Sequence, residues 1–506
     1  MAAMSLACDT AMALPLETGL AICLAAMRLA RSAGLDDGEL SRTYAVSLLE
    51  HIGCTASSSD NAAVMGDELV LREHTPLLDL TDPRAMVRFM FAHTARVSTL
   101  PGRPMAMARM VVGAGRIAAN SEEVCEAGRM LGARCGYDPQ CLADLEAVYE
   151  RWDGSGTPGR LAGDQIPVPV QVAQVATLTV NAERMLGAQA AVELVRARRG
   201  RALSPAIVDV LLDNLDEILR PLSATESLWE AVLAADPVPA ATPAPADIDS
   251  ALAAMADFAD LHASSLVGHS SGVARLAGAA AEAYGLPAAE VDLVRRSGYV
   301  HDLGRVAVSA GVWNSAKPLT AEQREQVRMH PYYTQRVLGR SPYLRSLSEV
   351  ASCHHERLDG SGYFRGATGQ ALGAPARILA AADAYHTKIE DRPHRAALAP
   401  QDAAAHLRAE ADGGRLDRLA VDAVLAAVGS TRPGADSRLT ARELEILVAA
   451  ARGGSMRQLA KQLGIAPKTV DGHLQRIYPK IGVSTRTGAT LFALEHGLLQ
   501  PSAVSG

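Results

Sequence analysis

His301-Asp302-Leu303-Gly304-Arg305, His330-Pro331, His354-His355-Glu356-Arg357-Leu358-Asp359-Gly360-Ser361-Gly362-Tyr363 and Asp383-Ala384-Tyr385 follow one another in the second half of a 506-residue chain. Imidazole and carboxylate are the side chains that hold borderline-to-hard divalent metals, and several must converge to bind one. The chain has 14 histidines, and four of them fall in the first three blocks beside two aspartates. A lone His-His pair in a helical protein is more commonly a surface or satisfied core feature. An ordered set H-D, H-P, H-H-E-R-x-D-G-S-G-Y, D-A-Y is better read as a ligand set.

From about Leu266 to Val428 this set resembles the HD-GYP branch of the HD metal-dependent phosphohydrolases. Upstream, Gly268-His269-Ser270-Ser271-Gly272-Val273-Ala274 is similar to the opening G-H-S-x-R-V-A of that family. The resemblance implies metal ligands at His269, His301, Asp302, His330, His354, His355 and Asp383, with Asp302 bridging two divalent ions, manganese or iron. Two adjacent cations activate a water and stabilise the leaving oxygen of a phosphodiester. Asp302 and Arg305 are the implied catalytic pair; Arg305 replaces the usual lysine, and its planar fork suits a phosphate oxygen. Arg305, Tyr363, Arg392 and Arg395 occupy positions that contact a cyclic dinucleotide in the family, cyclic di-GMP being one such substrate. Besides Arg305, three departures stand out. Ser265 replaces a glutamate that brings a third metal in some members, Phe364 replaces the proline of G-Y-P, and His386 replaces an aspartate. Asp391-Arg392-Pro393-His394-Arg395 is close to D-R-P-Y-R.

A second signal lies near the other end. Leu439-Thr440-Ala441-Arg442-Glu443 opens a segment that runs through Leu463-Gly464-Ile465 and Thr469-Val470-Asp471-Gly472-His473 to Leu499. It resembles the LuxR-type helix-turn-helix. Leu444, Leu447 and Val448 make one helical face and Leu459 and Leu463 another. Leu463-Gly464-Ile465 supplies the tight turn, and Pro467 suits the first turn of the next helix. Ser437–Leu499 carries nine Lys/Arg against four Asp/Glu, a net of +5 within a chain of net −7. A basic module on an acidic body fits double-stranded DNA as partner. The resemblance implies that Arg457, Lys468, Thr469, Val470, His473 and Arg476 meet groove and backbone. Asp471 opposes phosphate, and Ala466 lacks the hydroxyl that caps a helix, so pairing of two chains or a ligand is expected to assist binding.

The first part of the chain repeats the pattern without its ligands. Glu150-Arg151-Trp152-Asp153-Gly154-Ser155-Gly156 restates the E-R-x-D-G-S-G turn. Aligned with the second unit, His301-Asp302 falls on Glu50-His51, His269 on Thr18, His354-His355 on Val148-Tyr149 and Asp383 on Thr177. This predicts a degenerate HD repeat, with an acid–base site at His51, Glu150 and Asp153 as the alternative. An insertion between Gly53 and Tyr149 includes Ser57-Ser58-Ser59-Asp60-Asn61, read as a loop.

The expected architecture is all-α: two HD-type helical domains in tandem, the first degenerate, then a small helix-turn-helix module. The boundaries are 1–232, a Pro/Ala linker 233–249, 250–428, a linker 429–436, and 437–506. Leu211, Leu215 and Leu219 give the stripe of a buried helix face. Aromatics make up only 4% of a composition rich in alanine, which favours helices packed closely through small side chains. Seven scattered cysteines without a C-x-x-C pair argue for reduced thiols in the cytoplasm. No apolar run is long enough to span a bilayer, and no basic region precedes the first apolar stretch. Two functions remain open: a phosphodiesterase fused to a transcriptional output, and a regulator whose HD unit binds metal and a phosphorylated nucleotide with little turnover.

Overall fold

A computed structural model describes the chain except residues 80, 98–101, 239–242, 429–437, 454 and 500–506. Residues 239–242 of the first expected linker and all of 429–436 thus lie outside the described residues. Among the described residues every regular element is helical, and extended pairing is limited to three isolated bridges. The fold is all-α. Contacts divide it into two units, Met1–Asp247 and Ile248–Gly506.

In the second unit, helices His269–Tyr284 and Ala288–Val300 pack most extensively, joined by a short turn at Gly285, whose φ of 89° ends the first helix. Small residues allow the close approach: Gly298 lies directly against the backbone of Ala274. Helices Ala374–Lys388 and Arg418–Ala427 close the core around Val273, Ala277, Ala281, Val294, Ile378, Leu379, Val421 and Val424, all 0–1% exposed. Each fully buried leucine or isoleucine there contributes about 1.5–3 kcal/mol. The alanines contribute proximity instead, which is how a chain poor in aromatics fills its interior.

The C-terminal module is four helices: Ala441–Ala451, Met456–Leu463, Pro467–Ile481 and Arg486–Glu495. Thr440 and Ser455 start the first two with reciprocal bonds to Glu443 and Gln458, satisfying amide groups that a helix start leaves open. Gly464, at φ 66°, ends the second helix, and Pro467 opens the third, which has no side-chain cap at Ala466. This is the expected helix-turn-helix.

In the first unit, helices Thr18–Ser32, Asp37–Leu49 and Val168–Leu186 form the central packing. Two local readings are corrected. Ser58–Met65 is a helix, not a loop, because Ser58 is buried and its Oγ accepts from Arg72, while Asn61 donates to Ser57. Leu211, Leu215 and Leu219 belong to one core but to two helices, Pro205–Asp213 and Leu215–Ala224, which break at Asn214.

Candidate metal centre

Each candidate ligand is delivered by the end or the interior of a helix. His269 is the first residue of its helix, after the left-handed Gly268. His301 follows the last turn of Ala288–Val300, and Asp302 leads into the short turn Leu303–Ala307. His330 opens helix His330–Leu338, His354 and His355 follow helix Pro342–Ala351, and Asp383 projects from the interior of Ala374–Lys388. All seven converge.

Asp302 sits at the middle. Its Oδ2 faces His269 Nε2 at 3.3 Å and His301 Nε2 at 2.9 Å; its Oδ1 faces His330 Nε2 at 3.2 Å and His354 Nε2 at 3.4 Å. Asp383 Oδ1 lies 3.2 Å from His269 Nε2, and its Oδ2 3.8 Å from His355 Nδ1. Among the described residues four trios of candidate ligand atoms result: His269, His301 and Asp383; His330, His354 and His355; His301, Asp302 and His354; and His269, His386 and Glu390. Most of these side chains are inaccessible; His355, with 19% of its side chain exposed, marks the open side.

Buried polar atoms are normally hydrogen-bonded. Here Nε2 of His269 and of His301 and both oxygens of Asp302 are buried with no hydrogen bond of proper geometry. Three imidazoles have their other nitrogen fixed: Nδ1 of His301, His330 and His354 donates to the carbonyls of Gly298, Val327 and Ala351, at 2.6–2.7 Å. The proton is therefore on Nδ1, and the Nε2 lone pairs point inward. Imidazole lone pairs around carboxylates are the donor set of a divalent transition metal.

The electrostatics agree. Burial would raise the Asp302 carboxyl, but Arg305, with His301 and His269, holds it well below the usual carboxylate range. Asp383 is likewise held low against burial, first by the neighbouring His269 imidazole. Burial pulls His330 down to about 4, against the opposing pull of Asp302. The centre thus presents ionised acids and a neutral His330.

Arg305 Nη2 lies 2.6 Å from Asp302 Oδ2, and its guanidinium covers Trp313 at 5.2 Å. Tyr363 packs against His355 with ring centres 4.7 Å apart and planes tilted by 34°, and the Arg328 guanidinium lies 5.2 Å over its ring. Arg392 reaches the site through Glu390, at 2.7 Å. Arg395 is turned to other use: its guanidinium donates to the carbonyls of Thr387, Lys388 and Ala396 and braces that loop. Ser265 bonds Asn314. Sequence reading missed Arg328, Trp313 and Glu390, which stand in no recognisable spacing from the ligands.

On the C-terminal module Arg457, Lys468, Thr469, Asp471 and Arg476 are exposed. His473 is half-buried beside Arg476. Val470 is corrected: it is 0% exposed and packs in the core of the module, so its side chain is not on the surface.

In the first unit the equivalent positions form no metal cluster; among the described residues the clusters of three or more candidate ligands all lie in the second unit. Thr177 donates to Glu50 at 2.7 Å, Arg184 to Thr18 at 2.7 Å, and Tyr149 meets Cys54. The alternative acid–base site is not assembled there. Glu150 accepts from the amides of Gly159, Arg160 and Leu161, and Asp153 accepts from Ser155. The cysteines are all free.

Residues 253–419 match the HD domain family, and residues 437–493 match the bacterial regulatory proteins of the luxR family. The chain is 24% identical to the 3'3'-cGAMP-specific phosphodiesterase 3 of Vibrio cholerae over 404 residues, 79% of this chain and 87% of that protein. It is 34% identical over 156 residues to the cyclic di-GMP phosphodiesterase response regulator RpfG of Xanthomonas campestris, 30% of this chain and 41% of that protein. The crystal structure of a cyclic GMP-AMP specific phosphodiesterase of Vibrio cholerae superposes with a TM-score of 0.57 at 20% identity, covering 85% of this chain and 98% of the other. That superposition supports the tandem fold, since it extends well beyond the HD segment.

Proposed function

We propose that this chain, an HD domain followed by a LuxR-family DNA-binding domain, is a metal-dependent phosphodiesterase that acts on a cyclic dinucleotide and ties that activity to transcription. The observation that carries the catalytic reading is the division of the ligands around Asp302, one carboxylate oxygen toward each set. The donor chemistry suits divalent ions, two of manganese or iron in our reading: His269, His301 and Asp383 would hold one, His330, His354 and His355 the other, and Asp302 would contribute its carboxylate. When bound, the ions supply Lewis acidity and activation of a water. Asp302 and Asp383 would offset the charge of bound ions. Arg305, which pairs with Asp302 at the edge of the site, would offer its planar fork to a phosphate oxygen. Tyr363 and Arg328 flank the exposed side at His355, where an aromatic face and a cation suit a base and a phosphate. The names of the two relatives support a cyclic dinucleotide as the substrate class.

A second reading, occupancy without rapid turnover, is favoured by one contact. Leu494 and Leu499 of the C-terminal module stand against Gly268, the residue before His269; a Cβ there would meet Leu494 at 3.1 Å. A ligand that shifts His269 is then felt by the module, and DNA acts on the centre by the same coupling. The domain limits 1–232, 250–428 and 437–506, a cytoplasmic location and pairing of chains on DNA belong to this proposal.

Turnover of cyclic and linear dinucleotides with manganese or iron tests it. The wild-type protein is expected to linearise at least one cyclic dinucleotide and to bind close to two ions. His301→Ala with Asp302→Ala is expected to lose both properties while keeping its helicity. A double variant that hydrolyses every wild-type substrate removes the catalytic assignment.

A further inference from the structure

His301, His330 and His354 each anchor Nδ1 on the carbonyl three residues earlier. This is possible because each ends or follows a helical turn that offers that carbonyl. His269 is placed differently. It begins its helix, after a left-handed glycine, and its Nδ1 meets no main-chain oxygen; the nearer partner is Glu390 Oε2 at 2.9 Å, a residue 121 positions away, with Arg392 Nη2 farther off at 3.3 Å. A carboxylate only accepts, so this bond puts the proton on Nδ1 and leaves Nε2 free beside Asp302 and Asp383.

Glu390 is itself held. Arg392 Nη2 donates to its Oε2 at 2.7 Å, and His386 Nδ1 lies 3.0 Å from its Oε1. His386 has room for its ring because residue 272 is glycine: any Cβ at 272 would overlap the imidazole. The degenerate first unit provides an internal comparison. Aligned as in the sequence, Thr18 stands for His269 and Arg184 for Glu390, and the two still touch at 2.7 Å. Where the ligand histidine became a hydroxyl, the opposing acid became a base. The partner changed with the ligand, as it must if its task is to set that ligand's hydrogen bonding.

We infer that Glu390 is a positioning residue of the metal centre: it fixes the tautomer and orientation of His269, with His386 and Arg392 as its supports. This rests on the metal-centre reading above. A carboxylate behind a ligating imidazole also increases the imidazole's basicity, and removing such partners typically lowers metal affinity about 10–100-fold.

The test uses the full chain and manganese alone, with affinity measured by competition against a metal chelator and thermal unfolding measured with and without the ion. Glu390→Ala is expected to weaken manganese binding by about 10–100-fold and to shrink the stabilisation that manganese confers, while metal-free unfolding stays near wild type. Glu390→Gln, which keeps an acceptor oxygen, is expected to recover most of the affinity. Wild-type affinity in a folded Glu390→Ala protein overturns this inference and leaves the metal centre standing. So does metal-free destabilisation of both variants with affinity lost equally in each, since that marks a brace. If the wild-type protein binds no metal, both readings fall together.

Discussion

Gly298→Ala perturbs the joint on which the two halves of the ligand set depend. Gly298 lies on helix Ala288–Val300, three residues before His301, and its carbonyl accepts the His301 Nδ1 proton. Across the joint is Ala274, on the helix that begins with His269. A Cβ at 298 would lie 2.6 Å from Ala274 Cα and 3.0 Å from its nitrogen, about 0.8 Å short of ordinary contact. These are main-chain atoms and cannot rotate away, so the helices must separate. Such overpacking costs about 1–3 kcal/mol, while replacing a helical glycine by alanine returns about 1 kcal/mol. The net loss of stability is therefore about 0–2 kcal/mol. The geometric effect is larger, because metal–ligand distances tolerate only about 0.2 Å and the separation moves His269 away from Asp302. We expect manganese affinity to fall at least tenfold while the metal-free protein still folds. Gly278→Ala, on the same interface, is the control. Its Cβ would have the Arg295 side-chain stem as nearest neighbour, at 3.1–3.3 Å, and no main-chain atom nearer than that, so stability and affinity are expected to match or exceed wild type. Chelator competition and thermal unfolding of both variants decide the matter. If Gly298→Ala binds manganese as tightly as Gly278→Ala, the joint does not set the ligand geometry.

Two further outcomes follow from the other parts of the chain. Burial pushes Glu50 up to about 8, against the opposing Thr177 hydrogen bond. A raised acid contributes stability below its unfolded value near 4.5, and that stability is lost as pH climbs toward 8; Glu50→Gln should thus be about as stable as wild type at pH 5 but more stable at pH 9, by up to about 5 kcal/mol, and an unchanged difference between the two pH values would refute the burial argument. Asp471→Lys replaces an exposed acid on the third helix of the module, so duplex DNA binding should tighten and its salt slope steepen by about one to two; an unaltered slope in a salt titration would mean that this face does not meet the backbone.

The convergence of the candidate ligands was legible because metal chemistry confines its donors to few residue types, and helix ends confine them to short blocks. His301-Asp302 and His354-His355 are adjacent in sequence because each pair occupies one turn. Glu390 was not legible: it acts through His269, across 121 residues, and nothing local distinguishes it from any acid in a loop. Val470 failed for another reason. A motif fixes which helix enters a groove more firmly than which face, and burial of Val470 is a property of the packed module. The break at Asn214 and the helix at Ser58 were decided by tertiary partners that override local preference. Arg395 was assigned by position alone, and its three carbonyl bonds show a guanidinium spent on its own loop.

The two units together separate what the metal requires from what the fold requires. Glu356 accepts from the amides of Arg365 and Ala367, and Asp359 from Ser361. Glu150 and Asp153 make the corresponding bonds in the first unit, where the ligand positions hold Thr18, Glu50, Val148 and Thr177. Gly156 and Gly362 lie equally close to the backbone of Glu150-Arg151 and Glu356-Arg357. A feature that persists where no ligand cluster remains serves the turn itself: each glutamate satisfies amides that the loop would otherwise bury without partners. Glu356, although it stands directly beside His354-His355, is therefore a folding residue. The side chains that differ between the units, at 269, 301, 302, 354, 355, 383 and 390, are the ones that the proposed metal centre would use.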